Sequence, residues 1–227
     1  MNTKLCLAST LTFNRYLWDF LNQVVNLCRV NNAIAILSTS SRDVVNAIYE
    51  VKKQFRDIPI ILISYEKKLP NWYNVPDRVW DIVYGRNLTR RKAIELKCDY
   101  IFYIDSDVFV EHDLPTKMVN VMKEFKLNVL FHVVPFNTHE ALFSSALFMV
   151  DELANKKLFF GCYQDIVDEN NIAVEDDILI FKAGILNLRV ATCSLSDVKH
   201  KEWIHRKRNE LIFLDPKVRV ISRVKLL

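Results

Sequence analysis

The sequence predicts an α/β domain in which a mostly parallel central sheet is flanked by helices. Short apolar runs alternate with amphipathic helical patterns along the chain, and 227 residues are enough to enclose one sizeable core. Strands that alternate with helices form βαβ units, whose strands lie parallel. Because neither a repeat nor a linker interrupts the pattern, residues 1–227 are expected to form a single domain with a basic C-terminal arm from about 199.

The individual elements follow from hydrophobic periodicity. Apolar runs predict strands at 4–9, 33–37, 58–64, 100–104, 128–134 and 188–193. Apolar residues at helical spacing predict helices at 14–30, 43–55, 88–97 and 115–125. The stretch 65–81 contains Pro70 and Pro76 and is predicted to be a loop, with 79–83 as an additional short strand.

The composition argues against several classes of protein. Half of the residues are hydrophobic and a quarter are charged, as in an ordinary globular domain. Only three glycines occur, which excludes a glycine-rich dinucleotide or phosphate loop. No signal peptide and no stretch of membrane-spanning length is visible, so a cytoplasmic protein is expected. Five cysteines without a C-x-x-C pair predict reduced thiols rather than disulfides or a zinc site.

The positive charge is concentrated near the C-terminus. Residues 199–227 hold nine Lys or Arg and three Asp or Glu, which gives +6; because the whole chain carries +4, residues 1–198 carry −2. The small total does not call for a nucleic-acid partner, and none is expected. The basic segment 199–208, with Trp203 between charges, could close over a diphosphate or contact anionic lipid headgroups as a peripheral membrane contact. A solvated C-terminal helix is the simpler interpretation.

A pair of carboxylates follows a strongly apolar predicted strand. Asp105, Ser106 and Asp107 come directly after the strand 100–104, at the edge of the sheet where α/β proteins bind ligands. Two aspartates separated by one residue can share Mn²⁺ or Mg²⁺, which prefer oxygen ligands and bind diphosphates. The alternative is a pair of solvated loop aspartates. His200, if it is not merely structural, would be a neutral imidazole ligand of the same metal.

A second acidic cluster precedes a later apolar run. Glu175, Asp176 and Asp177 stand before Ile178 and Leu179, and one carboxylate could deprotonate an acceptor hydroxyl. An acidic helix N-terminus would explain the same pattern, because carboxylates there complement the helix dipole.

Three arginines precede the Asp-x-Asp segment and are candidates for binding a diphosphate or a ribose. An arginine side chain can bind two phosphate oxygens at once. A solvated helix face is the alternative. The three are Arg86, Arg90 and Arg91.

The order of these motifs resembles the GT-A glycosyltransferases, particularly glycosyltransferase family 2 and its relatives. The resemblance covers about residues 4–200 and rests on motifs at 9–15, 87–93, 105–107, 144–150, 175–179 and 200. It implies a GT-A fold, a UDP- or GDP-type sugar donor, Mn²⁺ or Mg²⁺, and a glycan, lipid or protein acceptor. It also favours inversion at the anomeric carbon.

The resemblance also assigns roles to residues. Asp105, Asp107 and His200 would form the metal site, and Asp176 would be the base, with Glu175 or Asp177 in its place otherwise. The chain departs from the family where the second strand ends, because Ser38, Thr39 and Ser40 stand where acidic residues usually hold the nucleobase. The donor site would include Thr10, Arg15, Ser38, Arg86, Arg90, Arg91, Asp105, Ser106 and Ser145.

Two other enzyme classes fit part of the pattern. A haloacid-dehalogenase-type phosphatase also uses Asp-x-Asp after an apolar strand, but that motif normally ends the first strand of its fold. Here the predicted strands at 4–9, 33–37 and 58–64 precede the strand that ends at Asp105. A sugar-phosphate nucleotidyltransferase would need a glycine-rich loop after the first strand, and the segment 9–15 contains no glycine.

Overall fold

The structure is a computed structural model that describes residues 3–67, 77–137, 139–161, 175–214 and 220–226. For residues 77–79, 175–178, 181, 220 and 221 it describes the backbone alone. The helices within these ranges are α1 Leu17–Asn31, α2 Arg42–Gln54, α3 Asp77–Glu95, α4 Leu114–Phe125, α5 Glu152–Lys157 and α6 Glu175–Ile185.

The strands within the same ranges are β1 Leu5–Thr10, β2 Ile34–Thr39, β3 Ile60–Ser64, β4 Tyr100–Ile104, β5 Val108–Val110, β6 Val129–His132, β7 Val134–Phe136, β8 His139–Ala141, β9 Leu147–Asp151, β10 Val190–Ser194, β11 Val198–His200, β12 Trp203–His205, β13 Glu210–Leu214 and β14 Val220–Lys225.

Nine of these strands form one mixed sheet with the order β14-β13-β10-β6-β9-β4-β1-β2-β3. The strands β1, β2, β3 and β4 pair in parallel, and β6 pairs in parallel with β10. Only β9 and β13 run against the other seven in this part of the chain, because their pairings are antiparallel. The prediction of an α/β fold with parallel core strands and flanking helices is therefore confirmed.

The sheet is covered on both faces, as a mostly parallel sheet requires. One hydrophobic core joins residues of the sheet to α1, α2 and α4, and a second joins the opposite face to α3, α5 and α6. Every residue of β1 is buried, which explains its continuous apolar run. This three-layer arrangement leaves the carboxyl ends of β1, β2, β3 and β4 together at one edge of the sheet.

The prediction for residues 77–87 was wrong, and residues 68–76 of the predicted loop lie outside the described residues. The structure has a helix over Asp77–Glu95, where the sequence predicted a loop, a strand at 79–83 and a helix from 88 onward. The run Val79–Val83 contains apolar and β-branched residues and therefore resembles a strand. The helix face that packs inward is not a simple apolar stripe, since it buries Asp81, Gly85 and Arg86.

The basic arm was also predicted wrongly. Residues 198–205 form the strands β11 and β12 instead of a solvated helix, and β11 pairs with β5 next to the Asp-x-Asp segment. The alternating burial of Val198, Lys199 and His200 is the period-2 pattern of a strand.

The expectation that all cysteines are reduced was wrong as well. Cys6 on β1 and Cys98, just before β4, are joined by a disulfide, with Cα atoms 6.0 Å apart. The two residues are 92 positions apart, so no local spacing could indicate the bond. Cys28 and Cys193 are free and buried, and Cys162 lies outside the described residues.

Candidate active site

Asp105 lies at the carboxyl end of β4 and is held from several directions. Its carboxylate accepts a hydrogen bond from Arg86 Nη2 at 2.5 Å, and its backbone N–H donates to the carbonyl of Ala146. The Arg86 side chain is 3 % exposed and that of Asp105 is 31 % exposed. Because the charged partner is on α3 and the acceptor is on the strand end, this pair links the helix to the Asp-x-Asp turn.

The neighbouring residues of the turn are fixed as well. Ser106 accepts a hydrogen bond from the Asn14 side chain at 3.1 Å, and the Asp107 carbonyl accepts one from the Lys201 backbone N–H at 3.2 Å. The turn therefore has fixed contacts to the segment after β1 and to the β11–β12 connection.

Asp107 and His200 face each other across the site. The Nε2 of His200 lies 3.7 Å from Oδ2 of Asp107, and both side chains are largely buried, at 6 % and 17 % exposure. Lys201 Nζ lies 3.6 Å from the same oxygen and is more exposed. Burial raises the pKa of Asp107, but the contact with His200 and the positive charge of Lys201 outweigh burial, so the net pKa lies below its usual value.

The tautomer of His200 follows from its other nitrogen. Nδ1 lies 2.9 Å from the carbonyl oxygen of Pro135 on β7, and a carbonyl can only accept. Nδ1 therefore carries the proton, and neutral His200 presents a lone pair at Nε2 towards Asp107. Two electron-pair donors that face each other in this way fit a divalent cation between them, and metal-bound histidines commonly donate their other N–H to a carbonyl.

Other ligands of such a metal must come from elsewhere. Among the described residues, no group of three or more His, Cys, Asp or Glu could hold a metal ion. Mg²⁺ and related ions are often bound through one or two carboxylates together with substrate phosphates. The donor set at Asp107 and His200 matches that situation.

A cavity of about 500 Å³ contains these groups. One wall comes from the segment after β1, from α3 and from the Asp-x-Asp turn, and the other comes from the hairpin β7–β8, the segment before β9 and the β11–β12 connection. The residues that line it include Thr10, Arg86, Asp107, Phe136, His139 and Ser145.

The structure brings some of the predicted donor residues together and places others away from the cavity. Thr10, Arg86, Asp105, Ser106 and Ser145 line it, as do Asp107 and His200. Ser38 is fully buried, with its hydroxyl 3.0 Å from that of Thr10. Arg15 lines an adjoining cleft and pairs with Glu202 at 2.6 Å.

Arg90 and Arg91 do not line the cavity. Arg90 donates to the carbonyl of Lys156 on α5 at 2.7 Å, and burial lowers its pKa. Arg91 is exposed. Of the three arginines proposed from the sequence, Arg86 is the one that the structure places at the site.

The acidic cluster forms the first turn of α6, which begins at Glu175. The side chains of Glu175, Asp176 and Asp177 lie outside the described residues, so the assignment of a base among them stays a prediction.

Sequence reasoning missed one carboxylate near the site. Asp81 on α3 is 7 % exposed and accepts hydrogen bonds from the hydroxyls of Tyr65 and Ser40, both at 3.0 Å. It thereby places a negative charge beside the polar end of β2, where the sequence itself has only Ser and Thr. No local motif indicates this, because Asp81 follows Ser40 by 41 positions.

Solved structures share this fold. The structure of residues 1–349 of the Staphylococcus aureus protein TarS superposes on this chain with a TM-score of 0.56 and 15 % sequence identity. The match covers 85 % of this chain and 58 % of the TarS fragment. A structure of the same TarS fragment contains UDP-GlcNAc, with 13 % identity and 56 % of that chain covered. The chain has the GT-A glycosyltransferase fold.

A third similar structure has the same GT-A architecture. The mannosyltransferase PcManGT from Pyrobaculum calidifontis, in complex with GDP-Man and Mn²⁺, gives a TM-score of 0.57 at 11 % identity, covering 84 % of this chain and 54 % of its own. The present chain thus spans little more than half of the length of these chains, and 37 % of a longer TarS structure that it also matches. No family model and no curated protein matches the sequence. In the part of the chain that the structure describes, no helix is both long and apolar enough to cross a membrane.

Proposed function

We propose that the protein is a divalent-metal-dependent glycosyltransferase that moves a sugar from a UDP- or GDP-type donor to an acceptor hydroxyl. The observation that carries the proposal is the facing pair of Asp107 Oδ2 and His200 Nε2 at the carboxyl end of β4, within a GT-A fold. The presence of UDP-GlcNAc and of GDP-Man with Mn²⁺ in two structures of this fold supports the choice of donor.

In this proposal, Asp107 and His200 hold the metal, and Arg86 holds Asp105. A bound Mn²⁺ or Mg²⁺ would neutralise charge on the departing nucleoside diphosphate. Arg86 orients the Asp105 carboxylate, so that it can contact the donor ribose or a water molecule on the metal. Lys201, at the rim, adds a positive charge close to where the diphosphate would lie.

We assign the nucleobase to the side of the cavity formed by β1, β2 and α3. Uracil and guanine each carry a ring N–H that can donate to a carboxylate, whereas the corresponding nitrogens of adenine and cytosine accept. Each oxygen of Asp81 already accepts one hydrogen bond and retains a further lone pair. Asp81 therefore favours a base with a ring N–H, in agreement with a UDP- or GDP-type donor.

Asp176 is our candidate for the acceptor's base, with Glu175 or Asp177 as replacement. Its position at the start of α6 and the family resemblance support this choice, and the resemblance favours an inverting reaction. A glycan, lipid or protein hydroxyl would serve as acceptor.

A thermal-shift screen tests the proposal. UDP, GDP, ADP, UDP-GlcNAc and GDP-Man are compared with and without Mn²⁺. A ligand at about a hundred times its Kd that binds only the native state raises the free energy of unfolding by about 2.7 kcal/mol. This raises the Tm of a chain of this size by about 5–10 °C. A uridine or guanosine nucleotide should give the largest shift, and only with the metal. The absence of any metal-dependent nucleotide shift would refute the assignment.

A phosphatase would behave differently in the same screen. It would respond to beryllofluoride with Mg²⁺ and would not distinguish between nucleobases. In addition, an attacking Asp105 would have to act while one of its oxygens is 2.5 Å from Arg86.

A further inference from the structure

A series of hydrogen bonds connects the hairpin β7–β8 to the main sheet through the buried residues His205 and Ser194. Glu140 on β8 lies 2.7 Å from Nδ1 of His205 on β12, and Nε2 of His205 lies 2.7 Å from the hydroxyl of Ser194 on β10. His205 is 1 % exposed and Ser194 is fully buried. These hydrogen bonds thus connect β8 to β10 and β12, where Ser194 and His205 lie more than 50 positions later in the sequence than Glu140.

The direction of each hydrogen bond can be assigned. The Glu140 carboxylate only accepts, so Nδ1 of His205 donates, and Nε2 of the neutral ring accepts from the Ser194 hydroxyl. The Ser194 oxygen in turn accepts from the Arg208 backbone N–H at 2.8 Å. Burial lowers the pKa of His205, in agreement with a neutral ring. Every donor along the series therefore points towards Glu140.

The order serine, histidine, carboxylate is also that of a hydrolase triad, but this arrangement cannot act as one. Ser194 is fully buried, and its oxygen accepts the Arg208 N–H. A substrate carbonyl has no route to the hydroxyl, so the series must act by holding structure in place.

Two histidines contact one cross-strand residue pair of the hairpin, the Pro135–Glu140 rung of the β7–β8 ladder. Pro135 and Glu140 are directly opposite each other in the β7–β8 ladder. The carbonyl of Pro135 accepts from Nδ1 of His200, and the side chain of Glu140 accepts from Nδ1 of His205. A shift of Glu140 would therefore move the carbonyl that fixes the tautomer and ring orientation of His200. The same hairpin supplies Phe136 and His139 to the cavity wall.

We propose that Glu140 and His205 are positioning residues of the site, because they fix the Pro135–Glu140 rung and, through the Pro135 carbonyl, the orientation of His200. The role for His200 rests on the proposed function, in which its Nε2 binds the metal. The rung itself and its two histidine contacts do not depend on that assignment.

The test compares three variants at partly exposed positions, where folding is retained most easily. Glu140→Ala removes the acceptor for His205, and Glu140→Gln keeps a carbonyl acceptor but loses the charge. Arg208→Met is the matched control, because it removes the Arg208–Glu140 ion pair and leaves both the His205 contact and the Arg208 backbone N–H. Two quantities are measured: amide hydrogen exchange of peptides covering 134–141, and the affinity for Mn²⁺ with UDP or GDP by calorimetry.

We expect Glu140→Ala to raise exchange in the hairpin at least about tenfold. The affinity for Mn²⁺ should fall about tenfold or more, as is typical when a partner behind a metal ligand is lost. Glu140→Gln and Arg208→Met should stay within about threefold of the wild type in both measurements, since each keeps an acceptor for His205.

Each contrary result overturns a defined part of the inference. Unchanged hydrogen exchange of the hairpin in Glu140→Ala would refute the claim that Glu140 and His205 hold the hairpin in place, whether or not the protein binds nucleotides. Faster exchange with an unchanged Mn²⁺ affinity would refute the positioning of His200. A wild type that binds no nucleotide with Mn²⁺ would refute the proposed function and the role of His200. The exchange data would still show whether Glu140 and His205 hold the hairpin.

Discussion

Gly85 is the position at which the packing of α3 against the site is most sensitive to an added methyl group. It lies inside α3, and a Cβ built on it would be 2.8 Å from both the Thr10 hydroxyl oxygen and the Tyr65 hydroxyl, and closer still to Cγ2 of Thr10. Thr10 lines the cavity, and the next residue of the helix is Arg86, which holds Asp105. A Gly85→Ala substitution therefore tests the fold and the site together.

Two opposing terms determine the size of the effect. Alanine in a helix interior stabilises by about 0.5–1 kcal/mol relative to glycine. Overpacking a tight contact typically costs about 1–3 kcal/mol. Because the added carbon meets three atoms on two side chains, we expect the overlap to dominate, with a net loss of about 1–2 kcal/mol and a Tm lower by about 2–8 °C.

Urea unfolding followed by circular dichroism measures this change. The double variant Thr10→Ser, Gly85→Ala removes the closest methyl group, so it should recover part of the loss relative to Thr10→Ser alone, with a coupling of about 1 kcal/mol. If Gly85→Ala were as stable as the wild type or more stable, the close approach of α3 to β1 would be wrong, and with it the placement of Arg86.

Three further predictions concern single side chains. Burial lowers the pKa of His132 to about 4, so between about pH 6.5 and 4 the unfolded state binds a proton that the native state does not. The free energy of unfolding should therefore fall by up to about 3 kcal/mol as the pH falls through this window. Urea unfolding of His132→Asn should lack that part of the pH dependence of stability, and an unchanged pH dependence would contradict the account. Asp176→Asn should cut turnover about a hundredfold or more with an almost unchanged donor affinity, whereas full activity would exclude Asp176 as the base. Asp81→Asn should weaken binding of UDP or GDP about tenfold and leave ADP binding unchanged, and equal losses for all three nucleotides would contradict its role at the base.

Much of the fold could be predicted because its strands are buried on both faces. The strand Tyr100–Ile104 was predicted with the bounds that it has in the structure, and the turn at Asp105–Asp107 follows from its end. Buried parallel strands give continuous apolar runs, which are easy to find in a sequence. The order of polar motifs after these strands then indicated which side chains meet at the sheet edge.

The remaining parts depend on contacts between residues that are distant in sequence. Asp81 reaches Ser40, and Cys6 reaches Cys98, only because neighbouring elements pack together. The Glu140–His205 contact likewise joins two short strands that carry no strong apolar pattern. By contrast, the alternation in 198–200 did contain a strand signal, which the high positive charge of the segment obscured.

Isothermal titration of UDP and GDP, each with and without Mn²⁺, into the wild type and the Asp107→Asn variant tests the central claim most directly. Asp113→Asn serves as the matched control, because Asp113 is exposed and pairs with Lys117 outside the cavity. We predict that at least one nucleotide binds the wild type and the control only with Mn²⁺, and that Asp107→Asn weakens this binding by at least about a hundredfold. Nucleotide binding that is independent of Mn²⁺, or equally tight in Asp107→Asn, would contradict the account.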